Sequence, residues 1–180
     1  MVRFSLVALL AFGLGLGVTP MSESTAADKK VPAALDFTMK DINGKDVNLA
    51  SECGLTGQYK ELQAIYDKYS KDGLVVIGVP ANEFGAQEPG TNAEIKAFCE
   101  KNYKVTFPMM AKVVVKGKGI CPLYDYLTNK TEKKFQGPIG WNFAKFLIGR
   151  NGEVVGRFDP RTAPDDKSIV EAIEKELKAK

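Results

Sequence analysis

Three cysteines, Cys53, Cys99 and Cys121, carry the most reactive chemistry in this sequence, and one of them stands at the mouth of a helix. In DVNLASECGLTGQYKEL, Asp46 to Leu62, Cys53 comes just ahead of Thr56 and the helical pattern that follows. A thiol attacks only as thiolate, so a working cysteine needs something to lower its pKa from about 8.5. At a helix start the unpaired amide N–H groups and the positive end of the dipole favour an anion. The same position also suits a small buried apolar residue, which is what most free cysteines are. Position alone leaves both readings open.

What is absent narrows the chemistry further. The chain has no histidine, which removes Ser-His and Cys-His nucleophile pairs, His-ligated zinc and imidazole acid–base catalysis. The cysteines are far apart, with no C-x-x-C and no metal-ligand spacing, and no cofactor is called for. At 180 residues there is room for one domain with a real core. A hydrophobic content of 44% and a charged content of 26% are those of an average globular protein. A net charge of +3 is too small to point to nucleic acid.

The N-terminus reads as an export signal: Arg3, an apolar run from Ser5 to Val18, then small residues at Ser24–Ala27. The run is too short and glycine-rich to span a bilayer, which takes about 20 residues. The expected organisation is a cleaved signal over residues 1–27, in preference to an uncleaved anchor, a linker over 28–34, and one domain over 35–180. No cysteine follows the run to anchor a lipid and no twin arginine precedes it, so the expected destination is the periplasm or the exterior.

Elements that would position Cys53 follow from periodicity. Leu35–Leu49 alternates around Asn43-Gly44, a pair suited to a two-residue hairpin. A helix is expected from about Gly57 to Ser70, with Tyr59, Leu62, Tyr66 and Tyr69 on one face, Thr56 as its cap and Asp72-Gly73 at its end. Leu74–Ala81 is a continuous apolar run, the mark of a strand buried on both faces. A Gly/Pro/Asn-rich loop leads to a helix from Asn92 to about Tyr103, then VTFPMMAKVVV resumes an extended pattern. Pro122 opens a short helix, with Cys121 just before it. Trp141–Phe158 gives two apolar runs around Asn151-Gly152, a hairpin signal. Thr162 and Asp165 open a last helix with Ile169, Ile173 and Leu177 in one stripe. The order implies an α/β fold, a mixed central sheet flanked by helices.

Three separated stretches, ASECGLTGQYKEL, VPANEFGAQEPGTNAEIKAFCEKNYKVTFPM and WNFAKFLIGRNGEVVGRF, together resemble the glutathione peroxidase family, which is built on a thioredoxin fold. The resemblance runs from about Leu35 to the last helix. It implies that Cys53 is the peroxidatic residue, standing where some relatives carry selenocysteine. It matches Gln87 to the family's active-site glutamine, and Trp141 and Asn142 to its tryptophan and asparagine. Taken singly, Trp141 reads as a core or hairpin anchor, Asn142 as a strand-edge or turn residue and Gln87 as solvated loop; their conjunction carries the functional reading. The resemblance implies a hydroperoxide substrate, hydrogen peroxide or an organic or lipid hydroperoxide. It implies a thiol reductant as partner, thioredoxin-like or glutathione.

Cys99 lies on an apolar helical face with Ile95 and Phe98, which reads as core. The resemblance gives it a second role, that of a resolving cysteine forming a disulfide with Cys53. Burial would then require the helix to open, because the two Cα atoms must come within about 6 Å. Cys121 reads as a spare, half-exposed thiol. The stretch Pro122–Gly140 is short where tetrameric relatives carry an insertion, so the resemblance implies a monomer. Lys112, Lys116 and Lys118 read as a solvated basic edge.

One departure stands out. Relatives reach the cysteine through a lysine- and glycine-containing turn and a buried central strand, whereas here DVNL runs straight into ASECG. A strand of 5 or 6 residues and its turn amount to about a dozen residues lacking. Either a segment is skipped in the sequence, or the platform under Cys53 is compromised and the Leu74 strand faces an unpaired edge in mid-sheet. The expected activity is that of a thiol peroxidase. Its rivals are a non-catalytic redox sensor or interaction protein, an inactive homologue, and a disulfide oxidoreductase, the last disfavoured by the missing C-x-x-C.

Overall fold

The computed structural model describes residues 4–11, 38–40, 46–48 and 53–179, with side chains placed from Cys53 onward. Its strands are β1 (Phe4–Ala11), β2 (Thr38–Lys40), β3 (Asp46–Asn48), β4 (Leu74–Pro80), β5 (Ala144–Ile148) and β6 (Val154–Phe158). Its helices are α1 (Gln58–Tyr69), α2 (Asn92–Tyr103), α3 (Pro122–Asp125) and α4 (Lys167–Lys178). A four-stranded mixed sheet has the order β4-β1-β5-β6, and β2 pairs with β3 in a separate antiparallel hairpin. Residues 41–45, with the expected Asn43-Gly44 turn, lie outside the described residues.

Alternation along the buried strands feeds two cores. Leu74 and Val76 of β4 and Leu147 of β5 pack with Tyr59 and Leu62 of α1, Ile95 and Phe98 of α2, and Ile169 and Ile173 of α4. Val79 of β4 and Phe146 and Ile148 of β5 face the other way, against Tyr124, Leu127, Val115 and Ile139. The sheet is thus covered on both faces, which is why β4 reads as an unbroken apolar run and β5 as one interrupted only by Lys145.

The centre of the sheet differs from expectation. β4 and β5 do not pair with each other; β1 lies between them, antiparallel to β4 and parallel to β5. The β4 strand therefore has a neighbour on its inner side, and that neighbour comes from the run expected to be an export signal. An apolar run of this length satisfies either reading, since periodicity cannot separate a buried strand from a signal's apolar stretch. The strand preceding Cys53 in the chain, β3, pairs with β2 in the separate hairpin.

Smaller corrections have local causes. Thr56 does not cap α1: its Oγ1 is buried without a partner, and the N-cap is Gly57, itself in helical conformation after a turn closed by Thr56 N–H to Cys53 O at 3.0 Å. VTFPMMAKVVV is extended but forms only an isolated bridge, Met109 to Gly78, because Pro108 lacks the N–H that a ladder needs. The last helix begins at Lys167 with Asp166 as N-cap, Pro164 having stopped an earlier start. Thr91 and Glu94 form a reciprocal capping box on α2 that the sequence reading overlooked. Gly73, at φ 105°, ends the first helical segment as expected.

Replacing Leu147, which is buried where β5 meets the helical core, by alanine should lower stability by about 2–5 kcal/mol. Val155→Ala on exposed β6 surface should stay within about 0.5 kcal/mol. Urea unfolding midpoints compare the two.

Candidate functional site

The loops that matter leave one end of the sheet. Val79 near the end of β4 and Ala144 at the start of β5 both pair with Leu6, so they lie in one row across the sheet. Phe158 at the end of β6 pairs with Lys145 at the same end. From that end come the loop after β4 holding Phe84–Gln87, the Trp141–Phe143 segment before β5, and the Asp159–Arg161 loop after β6. The Phe84 and Trp141 rings meet with centroids 5.9 Å apart, which joins the first two.

Cys53 sits beside this end, half-buried, at the turn that becomes α1. It lines an open cavity of about 700 Å³ with Gly54, Leu55, Trp141, Asp159 and Arg161. Trp141 is 43% exposed, so it is a wall of the cavity and not the core anchor that its type alone would suggest. Of the predicted residues, Cys53 and Trp141 share the cavity; Gln87 and Asn142 do not line it.

Gln87 and Asn142 are marked instead by strain and unmet polarity. Asn142 is 0% exposed, and neither its Oδ1 nor its Nδ2 has a partner. The Gln87 Oε1 is likewise buried and unpartnered. A buried polar atom left unpaired costs roughly 1–3 kcal/mol. Each of these residues adjoins a left-handed non-glycine residue: Ala86 at φ 50° precedes Gln87, and Phe143 at φ 62° follows Asn142. A bulky residue such as phenylalanine is rarely held there, and such strain gathers at working sites. Gly85, at φ +74°, is needed for a further reason: a Cβ on it would come 2.8 Å from the Gln87 Cδ.

The other cysteines differ from Cys53. Cys99 is 0% exposed in the helical core, as its spacing suggested, with the Tyr59 hydroxyl as a hydrogen-bond partner. Burial pushes its thiol up to about 12, against the smaller opposing effect of that hydrogen bond. Cys121 is half-buried at the N-cap position of α3, where its side chain makes no capping bond. Among the described residues no group of three or more cysteine or acidic side chains could hold a metal ion.

Two lysines were missed as structural parts of this site. Lys145, one residue into β5, is 1% exposed. Its Nζ donates to the Gln58 Oε1 at 2.8 Å, to the Pro160 carbonyl at 3.1 Å and to the Asp159 carbonyl at 3.2 Å. It ties the start of α1 to the loop forming the cavity's far wall. A lysine inside the apolar run FAKFLI was the available signal, since such a residue is rarely buried without a task. Lys112, expected on a solvated edge, instead donates to the Glu88 and Gly90 carbonyls, each at 2.7 Å, and so fastens the loop that carries Gln87. Lys116 does not merely face solvent either, lying 4.2 Å from the Phe84 ring centre.

Burial lowers the Lys145 pKa to about 8 from its ordinary 10.5, with Asp159 and Glu61 opposing that shift. Between those values the unfolded chain holds this proton and the folded chain does not, so this group makes stability rise with pH above about 8. In Lys145→Met that rise should vanish, and the advantage of the wild type over the variant should widen from pH 8 to pH 10, read from urea midpoints. Separately, iodoacetamide at pH 8 should label Cys53 and spare Cys99 in the folded protein, and label both after denaturation, as peptide mapping would show.

Comparison with known proteins identifies the family of the chain. The glutathione peroxidase family profile matches residues 25–128. The protein named hydroperoxy fatty acid reductase Gpx2 from Synechocystis sp. is 47% identical over 159 residues, covering 88% of this chain and 92% of that protein. A protein of Arabidopsis thaliana named "Probable glutathione peroxidase 3, mitochondrial" is 40% identical over 187 residues, covering 95% of this chain and 90% of its own. That aligned span exceeds this chain's 180 residues, so the relative carries residues that this chain lacks. The crystal structure of Trgpx in its apo form superposes with a TM-score of 0.51 at 34% identity, covering 81% of this chain and 97% of that one. The fold is thioredoxin-like, and the chain belongs to the glutathione peroxidase family, a family of peroxide-reducing oxidoreductases.

Proposed function

We propose that Cys53 is the peroxidatic residue of a thiol peroxidase that reduces hydrogen peroxide and organic or lipid hydroperoxides. The observation that carries this reading is the half-buried Cys53 at the head of α1, sharing a cavity with Trp141 at the end of the sheet where Gln87 and Asn142 also sit. The Cys53 thiolate attacks one peroxide oxygen, an S–O bond forms and the O–O bond breaks. The other oxygen leaves as alkoxide or hydroxide and takes a proton to become alcohol or water, while sulfur becomes sulfenic acid. Without histidine, neutral donors can steady the departing oxygen: the Trp141 indole N–H and the Asn142 and Gln87 amides. The unpartnered Asn142 amide supports that role.

Cys99 then attacks the sulfenic acid, releasing water and leaving a Cys53–Cys99 disulfide, which a thioredoxin-like dithiol reduces by exchange. Because Cys99 is buried, α2 must open in this step. The same burial favours a second reading, in which Cys99 is structural and an external thiol such as glutathione resolves Cys53 directly. Leu55, Trp141 and Pro160 give the cavity apolar walls beside the opposed charges of Asp159 and Arg161, a lining that fits an organic hydroperoxide with an apolar body. The similar protein named hydroperoxy fatty acid reductase supports that substrate class. The chain works as a monomer, and the N-terminal run directs export to the periplasm or the exterior.

One equivalent of hydrogen peroxide added to reduced protein, quenched within seconds and mapped by mass spectrometry, tests the cycle. A Cys53–Cys99 disulfide is expected, and Cys53→Ser should lower peroxidase turnover at least about 1,000-fold. Full turnover by Cys99→Ser with glutathione would assign resolution to the external thiol. Slow, unselective oxidation of all three cysteines would refute the peroxidatic role of Cys53.

A further inference from the structure

The slot between β4 and β5 has an unusual property. β1 runs antiparallel to β4 from Phe4 opposite Pro80 to Ala11 opposite Leu74, and parallel to β5 from Leu6 beside Ala144 to Leu10 beside Ile148. Thus β4 and β5 are antiparallel to one another. Any strand placed between them makes one parallel and one antiparallel ladder, whichever way it runs. Neighbouring strands lie about 4.8 Å apart, so β4 and β5 are roughly 10 Å apart and cannot bond without an intermediate strand.

Direction is where β1 stands apart. A strand feeding Cys53 would have to end where β4 ends and β5 begins, since Trp141 and Cys53 share the cavity at that end. It would run parallel to β4. β1 runs the other way, with Phe4 at the Cys53 end and Ala11 at the far end. The slot is filled by a strand that is not the chain's direct approach to its cysteine, and it accepts that strand along the whole of β4 and β5 with one register shift, between Phe4 and Leu6.

We propose that the space between β4 and β5 is a strand-acceptor groove, that its occupant is the chain's own Phe4–Ala11 run, paired along the backbone with both neighbours, and that this run is replaceable in trans. A consequence follows for the N-terminus. Cleavage near Ala27 would remove this strand, so the closed sheet, and the alignment it gives the loops around Cys53, belongs to the chain that still carries residues 4–11. Removal would expose the facing amides and carbonyls of both central strands at once.

The test keeps the full-length chain. Ala8 pairs with Ile77 on one side and Phe146 on the other, so proline there removes an N–H in mid-strand. Hydrogen exchange is followed at residues 74–80 and 144–148 in wild type, Ala8→Pro and Ala8→Val. Ala8→Pro should lose protection at both strands by at least about 100-fold while Ala8→Val keeps it. A synthetic peptide of residues 1–12 added to Ala8→Pro should restore protection at both, and a scrambled peptide should not. Unchanged protection in Ala8→Pro would overturn the proposal, because the run would then not hold the groove. Lost protection that the peptide fails to restore would overturn it equally, because no acceptor groove would remain. Exchange at these strands does not depend on the chemistry of Cys53, so failure here leaves the peroxidatic reading standing, and the reverse.

Discussion

Backbone pairing in the middle of the sheet is the constraint on which everything else rests. β4 and β5 each need a hydrogen-bonded neighbour on their inner edges, and β1 supplies both. Through that shared partner Val79 and Ala144 come into one row, and the loops after β4 and before β5 emerge side by side. The Phe84–Trp141 contact, and with it the wall of the cavity around Cys53, follows from that alignment. Neither helical core could fix it alone, since apolar packing is non-directional and tolerates a slip that a ladder does not.

At the site the molecule gives up stability in several places. Phe143 and Ala86 are held left-handed, Asn142 is buried with its amide unmet, and Lys145 carries its charge into a nearly dry position. Each is costly, and all lie beside the same end of the sheet. The usual balance of a folded domain makes such a concentration hard to explain by packing. In a chain without imidazole, aimed amides and an indole N–H are one means of steadying charge on the departing oxygen of the proposed reaction.

Much of the outer architecture was legible. The apolar runs of β4 and β5, the tyrosine-rich face of α1 and the helix over Asn92–Tyr103 stand where periodicity placed them. Cys99 could be read as core from Ile95 and Phe98 alone, and it is. What was not legible depends on partners distant in sequence. Lys145 shows its role only against Gln58 and the Asp159–Pro160 carbonyls, and Lys112 only against Glu88 and Gly90. Thr56 looked like a cap because hydroxyl residues cap helices, but the turn from Cys53 carries the chain into α1 without one. Likewise, no local rule says that a run near residue 4 completes a sheet whose other members begin at residue 74.

The burial of Cys99 has a bearing on how the proposed cycle responds to heat. Attack of a half-exposed thiolate on peroxide needs little rearrangement of the chain, whereas freeing a thiol from among Tyr59, Ile95 and Phe98 is a local unfolding event. Unfolding steps carry large activation enthalpies and quicken several-fold per 10 °C. Warming would therefore speed disulfide closure far more than sulfenic acid formation. In the cold the oxidised intermediate would accumulate, exposed to a second peroxide and to overoxidation, so α2 would act as a thermometer on the enzyme's own lifetime.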